Sequence, residues 1–150
     1  MAEQSTYTAT TSPNGQVSTQ EISESLFGLI EEFNKKVPWL KQSFAPQITL
    51  IDGATPALDA AQGASFYLTA AGDRTIAVPT NPTVGQVIII VHFASGGART
   101  LALNTGTNGF RFGSDITALS ATASGKIDYI TCRWNSIDSK WDVIEYRKGY

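Results

Sequence analysis

The five aliphatic residues Val87 to Val91 constrain this chain more than any other segment. All are β-branched, and Gly85 before them and Ser95, Gly96 and Gly97 after them are turn residues, so the run reads as a strand rather than a helix. In a strand, Val87, Ile89 and Val91 face one way and Ile88 and Ile90 the other, and both faces therefore ask to be dry. A small antiparallel sheet normally leaves one face in water. A second dry face needs a cover, either the chain's own loops or another subunit.

The run is one of a series. Alternating apolar segments occupy Gln47–Ile51, Ser65–Thr69, Thr75–Val78, Gln86–Ala94, Arg99–Leu103, Lys126–Trp134 and Lys140–Arg147, with a weaker one at Phe110–Phe112. Turn residues separate them at Ala71 to Asp73, Asn81 to Gly85, Ser95 to Ala98 and Asn135 to Ser139. This spacing predicts a mainly β chain with a single antiparallel β-sandwich or barrel-like domain over residues 47–150. Gly72 and Asp73 give a two-residue hairpin signal, and Ser95 to Ala98 would join the next two strands. Of the 150 residues, about a hundred in the β-domain are enough to bury roughly two thirds of their unfolded surface.

Ahead of that domain the pattern changes. Residues 1–17 are rich in Thr, Ser, Ala, Gln and Asn, with Tyr7 almost the only apolar anchor and a turn at Pro13-Asn14-Gly15. Such a segment is expected to be an extended arm that orders only against a partner, with Thr6, Tyr7, Thr8 and Pro13 as its contacts. Ser18 and Glu21 then have the spacing of a capping box, and Val17 and Ile22 that of a hydrophobic staple. A helix is predicted over residues 18–37, ending before Pro38. Its Ile22, Leu26, Leu29 and Phe33 recur at alternating steps of four and three, a narrow apolar stripe opposite Glu24, Glu31, Glu32 and Lys35. A helix of about nineteen residues is marginal alone in water, so the stripe is expected to pack either on the chain's own β-domain or in a bundle with neighbouring copies. Pro38, Trp39, Phe44 and Pro46 form a connector over residues 38–46.

Charge narrows the function. Charged residues make up 16% of the chain, low against roughly 25% in an ordinary soluble domain, which favours association with copies of itself. The net charge of −2, without a Lys/Arg cluster, gives no footprint for nucleic acid. Met1 to Tyr7 has no cationic stretch followed by an apolar one, and no run approaches the length of a membrane span. One Cys, Cys132, and one His, His92, leave no metal-ligand spacing and no nucleophile with its base. Cys132 reads as a small strand residue. On the face of Ile88 and Ile90, His92 marks either core or a subunit interface, where copies would bind an ion or sense pH, although hydrogen bonding inside the fold is the plainer role. Asp52 and Asp59 flank a turn-rich segment, and Asp115, Asp128, Asp138 and Asp142 are scattered. No enzyme, cofactor or metal site is expected from these residues.

One ordered set of residues carries a likeness. Gly72-Asp73-Arg74-Thr75-Ile76, Pro79, Asn81-Pro82, Gly85-Gln86, the aliphatic run, Gly96-Gly97, Arg99-Thr100-Leu101 and Trp141-Asp142-Val143 follow one another in the order found in a trimeric β-domain of tailed-bacteriophage virion proteins, which this chain resembles from Gln47 to Tyr150. Capsid decoration proteins, head fibres and tail-fibre tips carry that domain. Two segments depart from it: His92 to Ser95 replaces a Gln/Asp-rich turn, and Leu103 to Gly109 lacks a Trp.

The resemblance implies a non-enzymatic homotrimer in the virion, assembled in the host cytoplasm. In a chain too short for a fibre shaft, it implies a decoration or cement protein whose arm meets the major capsid protein on the outer shell. Ile22, Leu26, Leu29 and Phe33 would then join the trimer through the helix, and Ile88, Ile90 and His92 would serve the trimer or the core. The competing implication is a head fibre or tail tip that meets a host glycan or surface protein through Phe110, Arg111 and Phe112.

Overall fold

A computed structural model describes residues 19–36 and 47–150, with side chains in the first stretch at residues 24–32. The chain divides into two compact units, Met1–Lys41 and Gln42–Tyr150. In the first, helix α1 spans Thr19–Lys36, inside the predicted span. The expected arm and connector lie outside the described residues.

In the second unit eight strands follow in order: β1 (Ile48–Thr49), β2 (Ser65–Ala70), β3 (Arg74–Ile76), β4 (Val87–Ala94), β5 (Leu101–Leu103), β6 (Phe110–Arg111), β7 (Ile127–Asn135) and β8 (Lys140–Arg147). Six of them form one sheet in the order β1-β2-β4-β7-β8-β6, and β3 pairs with β5 in a second. The protein is thus mainly β with one helix among the described residues.

The antiparallel expectation is corrected: the large sheet is mixed. β4–β7 and β7–β8 are antiparallel, whereas β1–β2, β2–β4, β6–β8 and β3–β5 are parallel. The two expected hairpins are the cause of the difference. Neither turn folds a strand back on its predecessor; each carries the chain from the large sheet to the small one, β2 to β3 and then β4 to β5. Because the same move is made twice, β2 and β4 run side by side in one sheet, and β3 and β5 do so in the other.

Contacts far away in sequence hold the crossing. Asp73 Oδ1 accepts from the Thr100 amide at 2.7 Å, and the Arg74 amide donates to the Thr100 carbonyl at 3.0 Å. Arg74 clamps Asp52 through Nε to Oδ1 at 2.6 Å and Nη2 to Oδ2 at 2.9 Å. The turn residues are therefore satisfied by other loops instead of by each other. Gly109 closes the approach to β6: a side chain there would put its Cβ 2.3 Å from the Asn104 carbonyl oxygen, a contact only glycine avoids.

One face of the large sheet builds the core. Phe66 and Leu68 of β2, Ile88 and Ile90 of β4, Ile130 and Cys132 of β7 and Trp141 and Val143 of β8 are buried together. Ile76 of β3, Leu101 and Leu103 of β5, and Leu50 and Leu58 from the loops complete the same cluster. Removing a branched side chain there leaves a cavity that the surrounding strands cannot close. Ile90→Ala should therefore cost about 2–5 kcal/mol, whereas Ile89→Ala, one residue along on the opposite face, should cost less than half as much. Urea midpoints of the two variants check the assignment of faces.

Candidate functional site

Strand β4 gives the clearest view of what the chain leaves uncovered. Ile88, Ile90 and His92 are each 0% exposed inside a single chain, so of their two expected roles the structure shows core, and an intersubunit surface through these side chains is corrected. The neighbouring residues face the other way. Tyr67, Val91 and Tyr129 line up across β2, β4 and β7, with Arg147 of β8 at the end of the row. A second row runs Ser65, Ile89, Thr131 and Glu145. Val91, between the tyrosines in register, is buried, while Val87, Ile89 and Tyr129 stay 37–39% exposed.

This outer face is apolar or neutral over β2, β4 and the middle of β7. Charge enters at its margins, where Arg133 lies opposite Val87, and Glu145 and Arg147 are paired with each other at 2.8 Å. Tyr150 packs edge-on against Tyr129, ring centroids 5.4 Å apart. The sequence did hold the signal for Tyr129 and Thr131, which alternate with Ile130 and Cys132. Tyr67 alternates with Phe66 and Leu68 in the same way.

Helix α1 carries a second exposed apolar surface: Leu26 is 56% and Leu29 68% exposed, with Phe27 and Ile30 also open. Ile22 and Phe33 belong to the helix, but their side chains lie outside the described residues, as do Thr6, Tyr7, Thr8 and Pro13 of the expected arm.

Of the candidate contacts at residues 110–112, Phe110 is corrected, since it is buried in the core; Phe112 is partly buried against that core, and Arg111 is exposed. Arg111 is held by two carboxylates, Asp142 at 2.7 Å and Asp138 at 3.0 Å, which raise its already high pKa further. The guanidinium in turn keeps the Asp142 carboxyl below the ordinary carboxylate range. Beside this cluster, Val84, Gly85, Arg133, Trp134, Asn135, Ser136, Ile137 and Asp142 line an open cleft of about 320 Å³.

A polar network lies inside the core at the far end of β4. His92 Nδ1 is 2.9 Å from Thr122 Oγ1, and that hydroxyl donates to Asp128 Oδ2 at 2.7 Å. Tyr146 Oη lies 2.9 Å from the same carboxylate oxygen and 3.0 Å from the Ser120 carbonyl. The Gly149 amide donates to Asp128 Oδ1 at 2.9 Å. Burial lowers the His92 pKa, with the charge of Asp128 pulling the other way. Burial also raises that of Tyr146. No spacing in the sequence ties Thr122 to His92, which come from elements thirty residues apart.

The remaining candidates have structural employment. Asp59 caps the short 3-10 turn Ala60–Gln62 and accepts from Asn81. Among the described residues no group of three or more His, Cys, Asp or Glu could hold a metal ion. No described helix is long and apolar enough to cross a membrane. No family model, curated protein or solved structure matches the chain. The functional reading therefore rests on the chain itself.

Two outcomes test these electrostatics. Burial pushes the Cys132 thiol up to about 12, so a thiol reagent at pH 8 should label it only as fast as the protein unfolds, which mass spectrometry during labelling reads directly. The Arg74 clamp lowers the Asp52 carboxyl from 3.8 to about 2. Stability from this pair is present above the unfolded value and lost as pH falls toward the folded one. Asp52→Asn should lower the melting temperature at pH 7, and its gap to the parent should close between pH 4 and pH 2.

Proposed function

We propose that this chain is a structural protein of a tailed-phage virion, a homotrimeric capsid decoration protein that binds the outer shell through its N-terminal part and stabilises it without chemistry. The observation that carries the reading is the outer face of the large sheet. The core is complete within one chain, yet Tyr67, Val87, Ile89, Phe93 and Tyr129 still form an apolar surface on the opposite side of the same strands. Together with a low charged fraction and the open stripe of α1, this is the composition of a surface meant to be covered. Three copies closing about an axis cover it without leaving a free end. The β-domain would then close as a sandwich or barrel-like layer against its neighbours. The order of motifs from Gly72 to Val143 supports placing that trimer in a phage particle.

The sheet surface of this proposal differs from the one expected from sequence. Association uses the side of Ile89 and Tyr129, and Ile88, Ile90 and His92 stay inside. Decoration acts by mass action: trimers bridging coat subunits hold the shell by multiple weak contacts.

A second reading, a head fibre or tail tip contacting a host glycan or surface protein, draws on the cleft beside Trp134 and Asn135, where Ile137 and Val84 are strongly exposed. An aromatic ring among Arg, Asn and Asp side chains suits such a ligand. Copy number separates the two: purified particles should hold this chain at a ratio comparable to the major coat protein if it decorates the capsid, and at only a few copies if it is a fibre.

Association is tested by sedimentation of the purified chain. The parent should sediment as three chains, and Ile89→Asp combined with Tyr129→Asp should yield the mass of one, with circular dichroism unchanged. A monomeric parent, or a trimer that survives both substitutions, would overturn the assignment of this face.

A further inference from the structure

The buried network contains one atom that nothing satisfies. Thr122 has a single hydroxyl proton, and it is committed to Asp128 Oδ2 at 2.7 Å. The contact of 2.9 Å between His92 Nδ1 and Thr122 Oγ1 can then be made only if Nδ1 carries the proton and donates. The imidazole is neutral, with its lone pair at Nε2. That nitrogen is buried and has no hydrogen-bond partner.

The surroundings explain why this matters. His92 is flanked by Leu68 of β2 and Asp128 of β7, and its neighbours on the buried face of its own strand are Ile90 and Ala94. Among the described residues, the charged or titratable groups of the network come from β7 (Asp128), β8 (Tyr146) and the segment after it (Lys148). Asp128 is bound through Thr122, Tyr146 meets Asp128 and the Ser120 carbonyl, and Lys148 donates to Ser120 Oγ. None of these contacts reaches Nε2, which has no hydrogen-bond partner. A proton added at Nε2 would be a buried donor on a cation without a partner, an arrangement that proteins avoid at considerable cost. Turning toward water would relieve it, and would withdraw Nδ1–H from Thr122.

What Thr122 and Asp128 hold is specific. Thr122 exchanges two backbone hydrogen bonds with Arg99, at 2.9 and 3.0 Å. Asp128 fixes the Gly149 amide, next to the pair of hydrogen bonds that Tyr150 exchanges with Ile127. We propose that His92, Thr122, Asp128 and Tyr146 form an acid-operated latch, in which proton uptake at His92 releases the Ser120–Thr122 segment and the chain end at Gly149 and Tyr150. This assignment does not depend on the protein's place in a virion.

The sign follows from the direction of the shift. The folded ring is held below the ordinary value of 6.5, so the unfolded chain takes up the proton first. Stability is complete above that value and falls as pH drops through it, by up to about tenfold in the folding constant per pH unit for one proton. His92 is the chain's only histidine, so every imidazole signal reports on it.

The test is nitrogen-15 NMR of the ring together with amide hydrogen exchange, corrected for intrinsic pH dependence, between pH 7.5 and pH 5. At neutral pH the proton should sit on Nδ1. On acidification the Thr122, Gly149 and Tyr150 amides should exchange at least tenfold faster, while Ile88 to Ile90 change less. His92→Asn keeps a donor for Thr122 but cannot titrate, and its exchange at those amides should not respond to pH over this range. A proton on Nε2 at neutral pH, or the same acid response in His92→Asn, would overturn the latch. If the variant does not fold, the parent alone decides. Coincident midpoints for ring titration and for exchange at Thr122 and Tyr150 support the latch, and separate midpoints refute it.

Discussion

Strand β4 has a neighbour on each edge, β2 on one side and β7 on the other, so its backbone groups are spent on both. Only its two faces remain free to act. The register fixes what each can do, since a slip of one residue would exchange Ile88, Ile90 and His92 for Val87, Ile89 and Val91. Both sets are aliphatic for most of their length, so side-chain hydrophobicity along the run hardly distinguishes them. His92 does. Its donor to Thr122 and the hold of Thr122 on Asp128 exist in one register alone, and they lie where β4 and β7 pair through His92 and Asp128. A hydrogen-bonded polar chain inside an otherwise apolar core thus selects which face of an ambiguous strand turns inward.

That selection shows why some of the structure was legible in the sequence and some was not. Strand positions were readable because a period of two is local: β2, β4, β7 and β8 lie within a residue or so of their expected bounds. Pairing was not readable, because Gly72 and Asp73 announce a change of direction without saying which strand comes next. The deciding contacts of that turn run from Asp73 to Thr100 and from Arg74 to Asp52, each more than twenty residues away. Phe110 and Phe112 misled for a related reason. An aromatic on each side of an arginine looks like a contact patch, until Asp138 and Asp142 engage the arginine and leave the two rings to the core.

The candidate surface was half legible. A run that is aliphatic on both faces demands two covers, and that demand is visible in the residues alone. Which cover is the core and which remains open depends on the partner strands, above all on Tyr67 and Tyr129 flanking Val91 on the open side. Tyrosines suit such a position, since each offers a large apolar ring together with a polar hydroxyl.

The two sides of the sheet meet at one place. Asp128 points into the core and Tyr129, the next residue, points out, so the network and the open face share the beginning of β7. The chain end bridges them: the Gly149 amide is bound to Asp128, and the Tyr150 ring lies edge-on against Tyr129. In the proposed latch, freeing Asp128 from Thr122 would loosen the Gly149 contact beside Tyr150, whose ring packs on Tyr129 of the outer row. By the same latch a change of protonation in the core would reach the surface through the Gly149–Asp128 hydrogen bond and the Tyr129–Tyr150 ring contact. If copies associate through this face, the latch would make their contact sensitive to the state of a buried side chain on its other side.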